Sequence, residues 1–278
     1  MLDDDARAAL APTRFGDVRW VAETGSTNAD AMALARAGAP EGVVVVADHQ
    51  TAGRGRQGRE WTAPPGSSLL ATILLRPPVA VAGLVTMAVA LAGADAVTDV
   101  AGFAPRLKWP NDLVWPGDGS GADRKLAGVL AEADWPARVA AAGGATSGAA
   151  DAQVVVAVGI GLNVNWPAAL PDELTDVAIA CNHVAGRSVE RQAILVALLQ
   201  HLEAGYRDLL ADHAGEGLLV RWRDRSSTLG RRVRVELGDR ELVGTAVDVT
   251  REGHLLLETT RGERHELTMG DVVHLRQL

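Results

Sequence analysis

Gly53 to Trp61 form the run GRGRQGREW, in which glycines are interleaved with arginines. Arg54, Arg56 and Arg59 offer planar donor forks that suit phosphate or carboxylate. Glycine gives the backbone freedom to move and lets its N–H groups approach a ligand closely. The run therefore predicts a mobile loop that folds over an anion. A solvated basic turn would have the same composition, and this short pattern alone does not separate the two.

The same glycines also spell the dinucleotide-binding pattern G-x-G-x-x-G after a predicted strand. That pattern requires a helix directly afterwards and an acidic residue about 20 positions later. The continuation Thr62 to Gly66 is TAPPG, which cannot open a helix, and no acidic residue lies between Thr62 and Leu84. A P-loop is excluded too, because no Lys-Ser or Lys-Thr pair follows the glycines.

Four further segments combine polar side chains with glycine or proline: ETGSTN at 23–28, KWPNDL at 108–113, RKLAGVLAE at 124–132 and GIGLNVN at 159–165. Together with GRGRQGREW, their order and spacing resemble the catalytic domain of biotin protein ligases. The resemblance covers about Trp20 to Arg223. MGDVVHLR, at 269–276, is similar to the C-terminal ending of that family.

The resemblance implies a two-step ligation. The carboxylate of biotin attacks the α-phosphate of ATP, giving biotinoyl-AMP and pyrophosphate, and a lysine amine of a carrier protein then displaces AMP. Biotin is the substrate, ATP with Mg²⁺ is the co-substrate, and no tightly held prosthetic group or protein-bound metal is expected. The expected partner is the biotin carboxyl carrier domain of acetyl-CoA carboxylase or a related carboxylase.

The resemblance also assigns roles to individual residues. The expected catalytic residues are Lys125, Arg54, Arg56, Lys108 and Asp112. The expected biotin-binding residues are Ser26, Thr27, Asn28, Gln50, Arg54, Gly55, Arg56 and Lys125. The expected nucleotide-binding residues are Arg56, Arg59, Trp61, Asn111, Asn163 and Arg276.

Several of these residues have a purely structural alternative. Ser26 to Asn28 would equally cap a helix, and Trp61 would equally pack in the core. Arg276 would equally be a solvated arginine of the chain's tail. Lys125 is the first choice for the cation that bridges the biotin carboxylate and the α-phosphate, because a compact point charge suits that task.

Composition limits the remaining classes of function. With 47% hydrophobic residues the 278-residue chain can form a core, while its formal net charge of −8 argues against coating nucleic acid. Only about twenty residues precede Glu23, too few for an N-terminal DNA-binding domain, so no DNA binding is expected. Cys181 is the only cysteine, which excludes an intramolecular disulfide. With no signal peptide or membrane span expected, a cytoplasmic protein is predicted; monomer and weak homodimer both remain open.

The predicted elements place the motifs in an α+β fold. The resemblance implies a class II synthetase-like catalytic domain over 1–224, with a mixed sheet flanked by helices. The alternating segments after Arg225 predict a small SH3-like β-barrel over 225–278. Strands are expected at 43–46, 68–76, 107–115, 125–135 and 154–158, and helices at 29–37, 82–100, 188–211 and 217–223. The first dozen residues are expected to be loosely ordered, and 117–121 and 141–150 to be flexible connections.

Overall fold

The computed structural model describes residues 2–116, 123–135, 152–212, 214–238 and 240–274. They form a mixed seven-stranded sheet with flanking helices, followed by a separate antiparallel five-stranded sheet. The expected connections at 117–121 and 141–150 lie outside the described residues. The helices of the first unit are α1 (Asp4–Leu10), α2 (Thr27–Arg36), α3 (Val79–Ala82), α4 (Val85–Ala101), α5 (Asp172–Thr175), α6 (Cys181–Ala185), α7 (Arg191–Asp212) and α8 (Glu216–Arg225).

The seven-stranded sheet has the order β1-β2-β3-β7-β6-β5-β4. Its strands are β1 (Val18–Thr24), β2 (Val44–Gln50), β3 (Ser68–Leu75), β4 (Arg106–Lys108), β5 (Asp112–Trp115), β6 (Arg124–Asp134) and β7 (Val155–Asn163). Only β1 and β2 pair in parallel; every other pairing is antiparallel. Every residue of β3 is buried, which explains its uninterrupted SLLATILL run.

Helices cover both faces of this sheet. On one face, α2 packs Ala31 and Met32 against Val45 of β2 and Ala157 of β7. On the other face, α4 and α7 pack against each other and bury the main hydrophobic core. The predicted helices and strands of the catalytic domain are present, with ends shifted by a few residues, apart from the three differences described next.

The N-terminal segment was expected to be loosely ordered, and that expectation is wrong. Asp3 caps α1, its carboxylate accepting from the backbone N–H of Ala6 at 2.9 Å. Ala6 and Leu10 are four residues apart, so they lie on one face of the helix, and both are buried in the main core together with Leu2, which precedes the helix. The i, i+4 spacing is visible in the sequence, but only the packing shows that α1 has a surface to cover.

The predicted strand at 107–115 is instead a hairpin of β4 and β5, which pair antiparallel. Its turn contains Trp109, Pro110 and Asn111, with a cis peptide bond between Trp109 and Pro110. Strand β7 is longer than expected and takes in most of GIGLNVN, so Gly159 and Gly161 lie within a central strand. Both differences place motif residues directly on the sheet.

The second unit follows α8, which ends at Arg225. Its strands are β8 (Arg232–Glu236), β9 (Glu241–Val249), β10 (Leu255–Glu258), β11 (Arg264–Leu267) and β12 (Asp271–His274), in the order β11-β10-β9-β8-β12. The alternating sequence of each strand sends one face inward, as in β8, where Val233 and Val235 are buried. Among the described residues, no helix is both long and apolar enough to span a bilayer.

The turn of the β4–β5 hairpin docks on this second unit. The Trp109 backbone N–H donates to Thr228 Oγ1 and its indole N–H donates to the Gly253 carbonyl, both at 3.0 Å. The adjacent Leu107 carbonyl accepts from the backbone N–H of Ser227 at 2.7 Å. One segment, KWPND, therefore belongs to the first sheet and anchors the second.

Candidate active site

A cavity of about 370 Å³ opens on the face of the seven-stranded sheet that carries α2. Ala157, Gly159 and Gly161 alternate along β7 and so share this face. Ala157 packs under α2, Gly159 lies beside Asn28, and Gly161 lies beside Trp61. The volume is within the ~300–1,000 Å³ usual for sites that take a small molecule.

Polar side chains at the start of α2 line one part of the cavity. Ser26 is at the N-cap position, but its side chain makes no capping bond, so the helix-cap alternative does not account for it. The Thr27 backbone N–H and hydroxyl donate to Gln50 Oε1 at 2.8 and 3.0 Å. Both lone pairs of that oxygen are thereby used, so Gln50 can offer a ligand only its amide N–H groups.

Asn28 is the next residue of this group, and a buried hydroxyl fixes its orientation. Its Oδ1 lies 2.7 Å from Thr72 Oγ1, and its Nδ2 donates to the Leu130 carbonyl at 3.3 Å. Ser26, Thr27 and Asn28 are all nearly buried. Buried polar groups held in this way favour a ligand with matching donors and acceptors, because an unmatched one would leave them unpaired.

The Gly53–Trp61 run is folded as a narrow hairpin. The Gly55 N–H donates to the Arg59 carbonyl at 2.7 Å, and the Trp61 N–H donates to the Gly53 carbonyl at 3.0 Å. The side chain of Arg56 is only 21% exposed and donates to Asn111 Oδ1 at 3.4 Å and to the Gly270 carbonyl at 3.3 Å. A solvated basic turn does not describe Arg56, although Arg54 and Arg59 are more than half exposed.

Lys125 points into the cavity from the start of β6. Its Nζ lies 2.8 Å from Asp112 Oδ1 and 5.4 Å from the centroid of the Trp61 ring. The backbone of Lys125 is held on both sides, because its N–H donates to the Val177 carbonyl and its carbonyl accepts from Ile179. An ammonium group is thus fixed beside a carboxylate and an aromatic face.

The chain just before β6 is anchored to the second unit. Asp123 is almost fully buried and pairs with His274 Nδ1 at 3.2 Å and with Arg231 at 3.4 Å. Burial would raise the pKa of Asp123, but the bond from His274 and the charge of Arg231 outweigh it and hold the pKa below its usual value. This ion pair to the second unit fixes the chain two residues before Lys125.

Trp61 lies on a smooth patch of backbone formed by two glycines. Gly128 and Gly161 are directly paired across β6 and β7. A Cβ on Gly161 would lie 2.5 Å from Trp61 Cε2, and one on Gly128 would lie 3.1 Å from Trp61 Cζ3. The indole therefore packs on backbone where any other residue would push it away, while part of Trp61 remains accessible.

Two partly buried cations, Lys108 and Arg56, lie in the wall of the cavity. Burial lowers the pKa of Lys108, although Asp112 and Asp123 oppose the shift. Burial likewise lowers the pKa of Arg56, with the charge of Asp112 acting against it. Burial removes part of the hydration of these two cations, and the contacts of an anionic ligand can replace it. The charged residues along the cavity are Arg54, Arg56, Arg59, Lys108, Lys125, Glu60, Asp112, Glu236 and Asp271.

The structure brings together all but two of the residues expected at the site. Those that line the cavity are Ser26, Thr27, Asn28, Gln50, Arg54, Gly55, Arg56, Arg59, Trp61, Lys108, Asn111, Asp112 and Lys125. Arg276 lies outside the described residues. Asn163 does not line the cavity: it is buried and its Nδ2 donates to the Ile179 carbonyl at 3.0 Å. In the structure Asn163 holds the end of β7 through this bond, and its expected contact with adenine stays a prediction.

Sequence reasoning missed several contributors to the cavity. Thr72 orients Asn28, and Gly128 completes the surface under Trp61. From the second unit, Glu236 and Asp271 reach the cavity wall. Asp271 lies in the MGDVVHLR segment, so the resemblance pointed to this region. No local pattern in the sequence indicates that β12 packs against the Gly53–Trp61 run, which is called the arginine loop below.

Two family models match this chain. The Biotin/lipoate A/B protein ligase family matches residues 23–140, and the Biotin protein ligase C terminal domain matches residues 228–275. The first range contains the arginine loop, KWPNDL and Lys125, and the second contains the five-stranded sheet.

Individual proteins give the same result. The chain is 38% identical to the biotin–[acetyl-CoA-carboxylase] ligase of Mycobacterium tuberculosis over 92% of this chain and 88% of that protein. It is 33% identical to the bifunctional ligase/repressor BirA of Bacillus subtilis over 85% of this chain and 68% of that protein. The structure is similar to that of the biotin protein ligase from Aquifex aeolicus in complex with biotin and ATP, with a TM-score of 0.73, 25% identity and coverage of 95% and 100% of the two chains. The chain belongs to the biotin protein ligase family.

Proposed function

We propose that this protein activates biotin with ATP and transfers it to a lysine of a biotin carboxyl carrier domain. The observation that carries the proposal is one cavity in which Lys125, the arginine loop and three buried polar residues meet. These three, Ser26, Thr27 and Asn28, are called the buried polar group. An acid, a nucleotide and a fixed cation between them are what adenylation requires. Membership of the ligase family supplies the identity of the acid.

In the first step, the buried polar group binds the ureido ring of biotin. Thr27 and Asn28 are already oriented by Gln50 and Thr72, and Gln50 contributes its amide N–H groups to the ligand. The biotin carboxylate then approaches Lys125, whose ammonium neutralises the repulsion between the carboxylate and the α-phosphate as the new C–O–P bond forms and pyrophosphate leaves. Arg54 and Arg56 close over the product, biotinoyl-AMP, and shield it from water.

The nucleotide occupies the part of the cavity between Trp61 and the arginines. The face of Trp61 stacks on adenine, and Arg56, Arg59 and Asn111 contact the phosphates and ribose. Arg276 is proposed to reach the nucleotide from the C-terminal segment. Mg²⁺ is proposed to enter with the triphosphate.

In the second step, the amine of the carrier lysine attacks the acyl carbon, forming an amide and releasing AMP and a proton. Asp112, 2.8 Å from Lys125, is placed to accept a hydrogen bond from the incoming amine as Lys125 follows the departing phosphate. Lys108 supplies a further buried positive charge beside AMP.

We also infer that the first unit is of the class II synthetase type and the second is SH3-like, with the boundary at 224–225. The adenylation chemistry supports the former, and five short antiparallel strands support the latter. A carrier domain of acetyl-CoA carboxylase is the proposed acceptor. The absence of DNA binding, the cytoplasmic location and the choice between monomer and weak homodimer stay predictions.

The proposed reaction is tested by offering the protein ATP, Mg²⁺, a biotin carboxyl carrier domain and either biotin or lipoate. We expect the carrier to gain the mass of one biotinoyl group and AMP to be released, with no transfer of lipoate. A carrier whose acceptor lysine is replaced by arginine is the control. Transfer of lipoate but not biotin would assign the protein to the other branch of the matched family.

Arg56→Gly is expected to weaken retention of the intermediate while the fold is kept. Glycine removes the bonds to Asn111 and to the Gly270 carbonyl and the ion pair with Asp271, so the loop no longer closes over biotinoyl-AMP. Added bovine serum albumin should then become biotinylated at many lysines, which streptavidin blotting detects. Arg36→Gly, on the exposed end of α2, is the control; if Arg56→Gly retains the intermediate as tightly as the unmodified protein does, the closing role is refuted.

A further inference from the structure

The arginine loop is bonded to a carboxylate of the second unit. Asp271, the first residue of β12, pairs with Arg59 and lies 3.9 Å from Arg56 through its other oxygen. The preceding Gly270 carbonyl accepts from the same Arg56 nitrogen at 3.3 Å. Gly270 and Asp271, at the start of β12, thus contact the two arginines that the proposed function assigns to the nucleotide.

The backbone before Asp271 is shaped for this contact. Gly270 has a φ of +142°, a conformation that residues with a side chain rarely adopt. A Cβ there would also lie 2.6 Å from Val235 Cγ1. The turn into β12 is therefore packed against β8 and presents its carbonyl and the following carboxylate to Arg56.

Electrostatics within the second unit make Asp271 dependent on those arginines. Asp271 lies directly opposite Glu236 across β12 and β8, and Glu236 lies directly opposite Glu241 across β8 and β9. Like charges in such cross-strand positions repel. Arg234 pairs with Glu236 at 3.1 Å and with Glu241 at 3.5 Å, whereas the partners of Asp271 come from the catalytic unit.

We infer that Asp271 is a positioning residue that competes with the phosphates of the nucleotide for Arg56 and Arg59. The carboxylate and a phosphate are both anions that engage a guanidinium through paired N–H···O bonds, so one displaces the other or must share its donors. Asp271 thereby lowers the affinity of the arginine loop for phosphate and favours release of pyrophosphate. The inference rests on the proposed function for the place of the nucleotide.

The test measures binding of inorganic pyrophosphate by isothermal titration calorimetry, which needs no turnover. Asp271→Asn should bind pyrophosphate about 3- to 10-fold more tightly, the range expected for removing a partly exposed competing charge. Asp271→Glu, which keeps the charge, should bind like the unmodified protein. Glu258→Gln removes one charge from the same unit, where Glu258 pairs with Arg264 and does not line the cavity, so it should change the affinity by less than about twofold.

A purely structural role predicts the opposite sign. If Asp271 merely held the two units together, its loss would loosen the loop, weaken pyrophosphate binding and lower the melting temperature. Asp271→Thr is a second neutral variant with a side chain suited to a strand, and it should also bind more tightly. When Arg59 is already replaced by alanine, Asp271→Asn should no longer give most of its increase in affinity for pyrophosphate.

Weaker or unchanged binding by both neutral variants would overturn the competition, whether or not the protein ligates biotin. Conversely, Asp271→Asn could bind pyrophosphate more tightly while the protein fails to transfer biotin. That result would support the competition at Asp271 and refute only biotin as the acid substrate. A steady-state readout separates these effects further: product inhibition by pyrophosphate should strengthen in Asp271→Asn by the same factor as its affinity.

Discussion

Lys125→Ala is expected to reduce biotin-dependent exchange of pyrophosphate into ATP by about 10²- to 10³-fold, the loss typical of removing one group that stabilises developing charge. The Lys125 ammonium is the charge that the structure fixes beside Asp112 and the face of Trp61. Without it, the biotin carboxylate and the α-phosphate meet with their repulsion unscreened. Alanine should change stability by less than about 1 kcal/mol, because the ion pair is partly exposed.

Arg124→Ala is the matched control for this prediction. Arg124 is the neighbouring residue of β6 and does not line the cavity, but its loss removes the same charge from the same strand. Arg124→Ala should exchange pyrophosphate into ATP at the same biotin-dependent rate as the unmodified protein. Normal exchange by Lys125→Ala, or an equal loss in Arg124→Ala, would show that the bridging role belongs to another cation.

Gly161→Ala is expected to weaken ATP binding by about 5- to 150-fold, which corresponds to the ~1–3 kcal/mol of one base–aromatic stack. A single methyl group at this position would lie 2.5 Å from Trp61 Cε2, so the indole must leave its place on the sheet. Biotin binding should persist, because its proposed contacts begin at Ser26 on another part of the cavity wall. Calorimetric titration with each ligand separates the two effects.

Two further variants separate lost stacking from general strain. Gly205→Ala, on α7, adds a methyl group that meets nothing within 4 Å and should leave both affinities unchanged. Overpacking in Gly161→Ala should cost about 1–3 kcal/mol of stability, which Trp61→Ala in the same chain should largely restore without restoring ATP affinity. If Gly161→Ala binds ATP normally while Trp61 is present, Trp61 is not the stacking surface.

The site was largely predictable because its residues occur in short runs whose chemistry is local. GRGRQGREW, KWPNDL and RKLAG each contain the donors that they bring to the cavity, so family resemblance could place Arg56, Asp112 and Lys125 one by one. Asn163 also belongs to a matching run, but its amide N–H donates to the Ile179 carbonyl and it does not line the cavity, so its role at the nucleotide stays a prediction.

The fold was predictable where apolar periodicity is strong and less so where packing decides. Largely apolar runs such as SLLATILL indicate buried strands, and β3 is buried along its whole length. The α1 helix was missed, because a short segment with an acidic start is helical only when the face that carries Ala6 and Leu10 has a core to cover. The sequence predicts one strand where the structure has the hairpin at Trp109. The turn is missed because its docking on Thr228 and Gly253 is a long-range contact.

The sequence by itself therefore determined the class of chemistry and most of the residues that line the cavity, since donor types and their spacing within a motif are local properties. The tertiary structure alone decided which distant groups control those residues. It paired Gly128 with Gly161 under Trp61, and it placed Asp271 against Arg56 and Arg59. Such contacts depend on strand register and on the docking of the second unit, which no run of neighbouring residues encodes.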